Sequence, residues 1–194
     1  MAEITTEKKA LAAVRKDGFA LNDVPEELMT AEVCLAAVNY YSGALQYVPE
    51  KLKTAELCLA AVKRDGSAFQ YVPRKLMTAE LCLEAVKESG KALEYVPEKF
   101  KTAELCLTAV KQDGSALGEV PENLRTEEMY LEAVKKDWRV LEFMPENLKT
   151  VELCLEAVKN LSAPPSHIYP EWDRFSIVPE GLREEVRRRY ESGE

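Results

Sequence analysis

Histidine is nearly missing from this chain: His167 is the only one. A lone imidazole with no paired nucleophile or ligand set is a poor catalytic signal. Gly-rich phosphate loops, Walker sequences and Cys-x-x-Cys pairs are missing too. The chain therefore reads as no enzyme, with no cofactor and no metal. Long apolar runs are also lacking. None approaches the ~20 residues a membrane helix needs, so no membrane partner is expected. The first residues, Met1-Ala2-Glu3-Ile4-Thr5, do not run from a basic to an apolar region as a secretory signal does. That points to the cytoplasm, with signal-free secretion left open. Positive charge is in deficit, with 26 Lys and Arg against 34 Asp and Glu and a net charge of −8. A nucleic-acid backbone is an unexpected partner for such a surface.

What is present is a period. Prolines fall at Pro25, Pro49, Pro73, Pro97, Pro121 and Pro145, and threonines at Thr6, Thr30, Thr54, Thr78, Thr102, Thr126 and Thr150. A repeat of 24 residues is the mark of a solenoid, in which each unit stacks on its neighbours. In the unit that begins at Thr54, the threonine suits a helix N-cap. Glu56 lies near the positive end of the helix dipole, and Lys63 and Arg64 near the negative end. Gly66 is expected to close the helix in the left-handed conformation. A helix from Thr54 to Asp65 is predicted. Leu57, Leu59, Ala61 and Val62 recur as apolar columns facing the core, whereas Ala60 is replaced by Glu84, Thr108, Glu132 and Glu156, a column expected to face water. A short helix over Ser67–Tyr71 and a helical or 3-10 turn over Pro73–Leu76 complete the unit. The first unit is degenerate, with Lys8 and Lys9 where Glu and an apolar residue stand elsewhere, as a capping repeat requires. In the sixth, Trp138 stands at the glycine position, so that helix end is expected to close differently.

The five cysteines, Cys34, Cys58, Cys82, Cys106 and Cys154, share one position, which Tyr130 fills in the sixth unit. Stacked helices lie roughly 8–10 Å apart, beyond the about 7 Å that a disulfide spans between Cα atoms. Zinc would need the sulfurs closer still. A column of small, reduced, buried thiols is expected.

After Leu161 the period breaks. The proline-rich run Ser162–Pro170, then Trp172, Phe175, Ile177 and Val178, and a helix from Pro179 to about Tyr190 read as a C-terminal cap.

Three surface columns are candidate sites. Glu32, Glu56, Glu80, Glu104, Glu128 and Glu152 line one edge, and Arg15, Lys63, Lys87, Lys111, Lys135 and Lys159 are expected along the opposite edge. Both are read first as complements to helix dipoles; the carboxylate edge could otherwise bind cations or mimic a phosphate backbone. Tyr47, Tyr71, Tyr95 and Phe143 share a third position, interrupted by Asp23 and Glu119. On a helical wheel it flanks the buried arc of Ala44, Leu45 and Val48, so the rings should be half exposed. They are either packing or a partner-binding stripe, since tyrosine and tryptophan are favoured anchors. Trp138, Tyr40 and Tyr41 extend that stripe.

The unit Ala61-Val62-Lys63-Arg64-Asp65-Gly66-Ser67-Ala68-Phe69-Gln70-Tyr71-Val72, followed by Pro-x-x-Leu and a Thr-started helix, resembles the tandem repeats of a bacterial and protist family classed only as a domain of unknown function. Its length is also similar to that of the leucine-rich repeat variant, which alternates α and 3-10 helices. Neither resemblance implies catalytic residues.

Together these readings predict an all-α solenoid of seven 24-residue repeats over residues 1–163, with a capping segment and final helix over 164–194. Its expected role is a monomeric, non-catalytic module binding a protein partner through Tyr47, Tyr71, Tyr95, Phe143 and Trp138. The rivals are an acidic inhibitor or nucleic-acid mimic, and a purely structural array from a longer protein.

Overall fold

The computed structural model describes residues 4–161 and 173–193. His167, Trp172 and the proline-rich run lie outside the described residues. Helices α1 (Glu7–Lys16), α2 (Ala31–Tyr40), α3 (Ala55–Arg64), α4 (Ala79–Glu88), α5 (Ala103–Gln112), α6 (Glu127–Lys136), α7 (Val140–Phe143), α8 (Val151–Asn160) and α9 (Arg183–Ser192) follow one another, with 3-10 helices among the described residues between all but α6 and α7, which a turn joins. The array is an all-α repeat solenoid. α-Helices pack on α-helices and six-residue 3-10 helices pack on their counterparts, so the apolar columns meet between two layers.

The local signals work as the chemistry requires. Each of the seven threonines caps its helix, with the hydroxyl accepting from the backbone N–H three residues on at 3.2–3.3 Å. The prolines precede three-residue 3-10 turns such as Glu50–Leu52 and Arg74–Leu76. Between α-helix and long 3-10 helix sits an extended residue, often Asp. Asp65 donates its N–H to Ala61 at 3.1 Å, ending α3, while its carboxylate accepts from Ser67 N–H at 2.8 Å, starting the 3-10 helix.

Several expectations need correction. The segment predicted as a short helix over Ser67–Tyr71 is a 3-10 helix beginning at Gly66. The glycine is not a left-handed cap; among the described residues only Gly193 has positive φ. A Cβ on Gly66 would lie 2.5 Å from the Ala85 carbonyl oxygen of the next unit, and one on Gly90 would lie 2.4 Å from that of Ala109. Glycine is there because a neighbouring backbone arrives where a side chain would start. Trp138 thus forfeits close approach, not a backbone angle. The Leu59 column is also less central than predicted: Leu59, Leu83, Leu107 and Leu131 are half-buried and Leu35 is exposed, while Leu57, Ala61 and Val62 and most of their counterparts are buried. Glu84, Thr108, Glu132 and Glu156 are half-buried rather than fully in water.

The C-terminal cap is itself built like a repeat. Phe175, Val178, Pro179 and Leu182 reproduce the spacing of Phe69, Val72, Pro73 and Leu76. Asp173 caps the 3-10 helix Arg174–Ile177, Glu180–Leu182 forms the turn after the proline, and Arg183 Nε donates to the Val178 carbonyl at 2.9 Å as Arg125 Nε does to Val120 at 3.0 Å. α9 then packs on α8, burying Val186. The long insertion between Pro145 and Pro179 conceals the kinship in sequence.

Candidate functional site

The tyrosine column lies on the outside of the 3-10 layer. Tyr47, Tyr71 and Tyr95 are each the last residue of a long 3-10 helix, three residues beyond an apolar anchor such as Ala44 or Ala92 and two beyond Leu45, Phe69 or Leu93, all buried. Tyr47 and Tyr71 are half-buried against the core, and Tyr95 is 39% exposed. Tyr71 and the Glu94 carboxylate stand close enough to act on Tyr95, Glu94 foremost, holding its phenol above the usual range. The row does not end at Asp23. Phe19, in the first unit, meets Tyr47 edge-on with centroids 5.4 Å apart and lies 6.4 Å from Tyr41. Both Phe19 and Tyr41 are exposed. The aromatic column does not include Phe19, because it stands two residues after Asp17, where other units carry Gly43, Ser67, Lys91, Ser115 and Arg139. That departure is itself the signal that would have found it.

The backbone beneath the rings is clamped by buried lysines. Lys53 Nζ crosses the seam to the Tyr71 carbonyl at 3.1 Å while pairing with Glu50 at 3.0 Å, and its side chain is 9% exposed. Lys101 does the same with the Glu119 carbonyl at 3.0 Å and Glu98 at 2.9 Å. Each ammonium satisfies a carbonyl that the end of a 3-10 helix leaves without an intrahelical donor. The lysine stems replace the apolar bulk that Met77 provides in the same column.

Between the third and fourth units lies an open groove of about 830 Å3, lined among others by Gln70, Arg74, Glu94, Tyr95 and Lys99. Phe143 and Trp138 do not line this groove. Phe143 is 84% exposed and borders a separate, smaller recess of about 360 Å3 with Val140, Leu117, Gly118 and Tyr130. Trp138 is half-buried against the core midway through the irregular sixth unit, just after α6. Tyr40 lines a third recess beside Arg15 and Leu35.

The charged columns are not segregated on opposite edges. Arg15 pairs with Glu32 of the next unit at 3.3 Å, Lys111 with Glu128 at 2.8 Å, and Arg189 of α9 with Glu152 at 3.1 Å. Glu56 sits in the first turn of α3, where hydrogen bonds from its own backbone N–H and from Thr54 pull its carboxyl below the usual range. The thiols of Cys34, Cys58, Cys82, Cys106 and Cys154 are free and buried. Desolvation pushes those of Cys34, Cys58, Cys82 and Cys154 up to about 11 and also raises Cys106. Among the described residues no cluster of acidic, thiol and imidazole groups is placed to hold a metal ion, and no helix is long and apolar enough to cross a membrane.

The model of one protein family, a domain of unknown function (DUF4116), matches the chain three times, at residues 8–53, 30–77 and 78–125. Each match spans two of the 24-residue units. No curated protein and no solved structure matches. The chain belongs to the DUF4116 family.

Proposed function

We propose that this array of DUF4116 repeats is a non-catalytic protein-binding module that docks its partner across Tyr47, Tyr71 and Tyr95. The observation that carries the reading is the posture of the rings. The bodies of Tyr47 and Tyr71 rest on the core while one edge stays open, the amphipathic arrangement that interface tyrosines use, and Tyr95 beside them is exposed. The lysine clamp fixes the backbone of Tyr71, so little ordering is required on binding. Phe19 lengthens the face toward the first unit. A glutamate-edge inhibitor or nucleic-acid mimic has less support, because Glu32, Glu128 and Glu152 share their charge with cations of neighbouring elements. The reading takes the protein to act as a cytoplasmic monomer.

The test is a Tyr47→Ser, Tyr71→Ser, Tyr95→Ser triple variant, compared with the native chain for melting temperature and for affinity toward a partner captured from native cytosol. Lost binding with a modest drop in melting temperature is the expected outcome. A sharp drop in melting, with the remaining folded protein binding normally, would show that the rings only seal the 3-10 layer.

A further inference from the structure

The repeats act as internal controls, and one column contains a single charge reversal. The residue after the proline is Glu26, Glu50, Arg74, Glu98, Glu122, Glu146 and, in the cap, Glu180. The carboxylates at this position have work to do. Glu50, Glu98 and Glu146 pair with the lysine three residues on, Lys53, Lys101 and Lys149, at 2.7–3.0 Å. Glu26 precedes Met29 rather than a lysine, and instead reaches the following unit to pair with Lys51 at 2.8 Å. Arg74 is the counterpart of Glu26 two units later: it precedes Met77, and Lys99 is the counterpart of Lys51. Where the first seam has a carboxylate paired with an ammonium, this seam has a guanidinium and an ammonium lining one groove.

Nothing among the described residues compensates. Among the described residues no carboxylate lies within ion-pairing distance of Arg74, Lys75 or Lys99; Lys99 rests over the Phe100 ring at 4.7 Å. Of the two carboxylates in the same groove, Glu98 is taken by Lys101, and Glu94 lies within ion-pairing distance of neither Arg74 nor Lys99. The result is a local concentration of cations in a chain of net charge −8. It lines an open groove of about 830 Å3 that also contains Gln70 and the exposed edge of Tyr95. Like charges on neighbouring units repel, and an anionic group seated between them converts that repulsion into two charge-assisted contacts.

We infer that the groove between the third and fourth units binds an acidic peptide segment of a protein partner, with a carboxylate of the peptide bridging Arg74 and Lys99 and an adjacent side chain lying against Tyr95. The inference rests on the reading of the tyrosine face as a protein-docking surface and names the chemistry of what docks there. Charge complementarity is the argument: in a chain of net charge −8 this groove presents a guanidinium and an ammonium without ion-pair partners, so an acidic segment is drawn to it and oriented by it.

The experiment uses a display library of short random peptides, selected on the native chain and on Arg74→Glu. The substitution restores the repeat residue and allows the pairing seen between Glu26 and Lys51, so the variant is expected to fold, which its melting curve checks. Peptides selected on the native chain should be enriched in Asp and Glu. The best of them, synthesised with a fluorophore, should bind Arg74→Glu at least about tenfold more weakly and should lose affinity as salt rises. Absence of selected peptides, absence of acidic bias, or equal affinity for the variant overturns the inference. So does full displacement by millimolar inorganic phosphate that itself binds the native chain and not Arg74→Glu, which would make the groove a site for free anions. A Tyr71→Ser, Tyr95→Ser variant separates the two readings. If it binds the acidic peptide as well as native while Arg74→Glu does not, the cation site stands and the tyrosine stripe falls. If only the tyrosine variant loses binding, the stripe stands and the acidic ligand falls.

Discussion

The third to fifth units and the sixth are variations on one sequence, and they pack differently. In the regular units a glycine lets the next α-helix come in until its carbonyl oxygen occupies Cβ space: 2.5 Å at Gly66 and 2.4 Å at Gly90. At Gly114, which faces the sixth unit, the nearest contact has opened to 3.2 Å. In the sixth unit Trp138 replaces the glycine, and the six-residue 3-10 helix is replaced by a turn and the short α7. Leu141 remains fully buried there, yet Phe143 swings out to 84% exposure where Tyr71 is half-buried. A recess opens beside it. The difference teaches that this repeat depends on two things that travel separately. Apolar columns keep a unit attached to the stack, whereas a missing Cβ sets how closely it seats. The sixth unit keeps the first and loses the second. The family matches end at residue 125, where the irregular unit begins.

Three measurements would break or sharpen this contrast. The largest effect is expected from Leu93→Ala, which removes a fully buried side chain from a tightly seated unit. It should cost toward the upper part of the about 2–5 kcal/mol found for such cavities, whereas Leu141→Ala, equally buried but bordered by a relaxed unit, should fall toward the lower part. Equal losses in denaturant midpoint would mean that the sixth unit is as closely packed as the others.

Next come the glycines. Gly90→Ala should destabilise by about 1–3 kcal/mol, since the new methyl must push back a backbone carbonyl. Gly118→Ala meets nothing within 4 Å and has ordinary φ, so it should be neutral or stabilise by about 0.4–1 kcal/mol through the unfolded chain. If Gly90→Ala also proved neutral, close seating would not be what the glycine provides.

The smallest effect near neutral pH belongs to the thiols, which mark the regular units and give way to Tyr130 in the sixth. The folded pKa values of Cys34, Cys58, Cys82 and Cys154, pushed up to about 11, lie above the ordinary 9.0, and that of Cys106 is raised as well. A raised folded pKa contributes stability that is complete below the unfolded value and is lost as pH rises through the folded one. Melting temperature should therefore be insensitive to these groups at pH 7–8. It should fall between about pH 9 and 11, and Cys58→Ala should reduce the steepness of that fall. Rapid labelling of the native chain by a thiol reagent at neutral pH would contradict the buried column.

Much of this was legible in the chain of letters. The threonine caps, the proline turns and the burial of the cysteines all follow from interactions within a unit or between equivalent positions. A period of 24 residues repeats these often enough to be read. The aromatic column was legible as a column, because position on a short helix decides which edge faces out. Other features were hidden for a common reason. The role of Gly66, the clamp from Lys53 to the Tyr71 carbonyl, the pairing of Arg15 with Glu32, the approach of Phe19 to Tyr47 and the grouping of Arg74 with Lys99 all arise between neighbouring units. A local pattern says which face of a helix is apolar. It does not say at what distance and angle the next helix crosses it, and that geometry decides whether a glycine serves a backbone angle or a close contact, whether a lysine is a surface charge or a buried clamp, and which rings touch. The sequence by itself determined the units and their order; the stacking of one unit on the next determined the surface they present, because that surface is made of residues about one repeat apart whose distances no local rule contains.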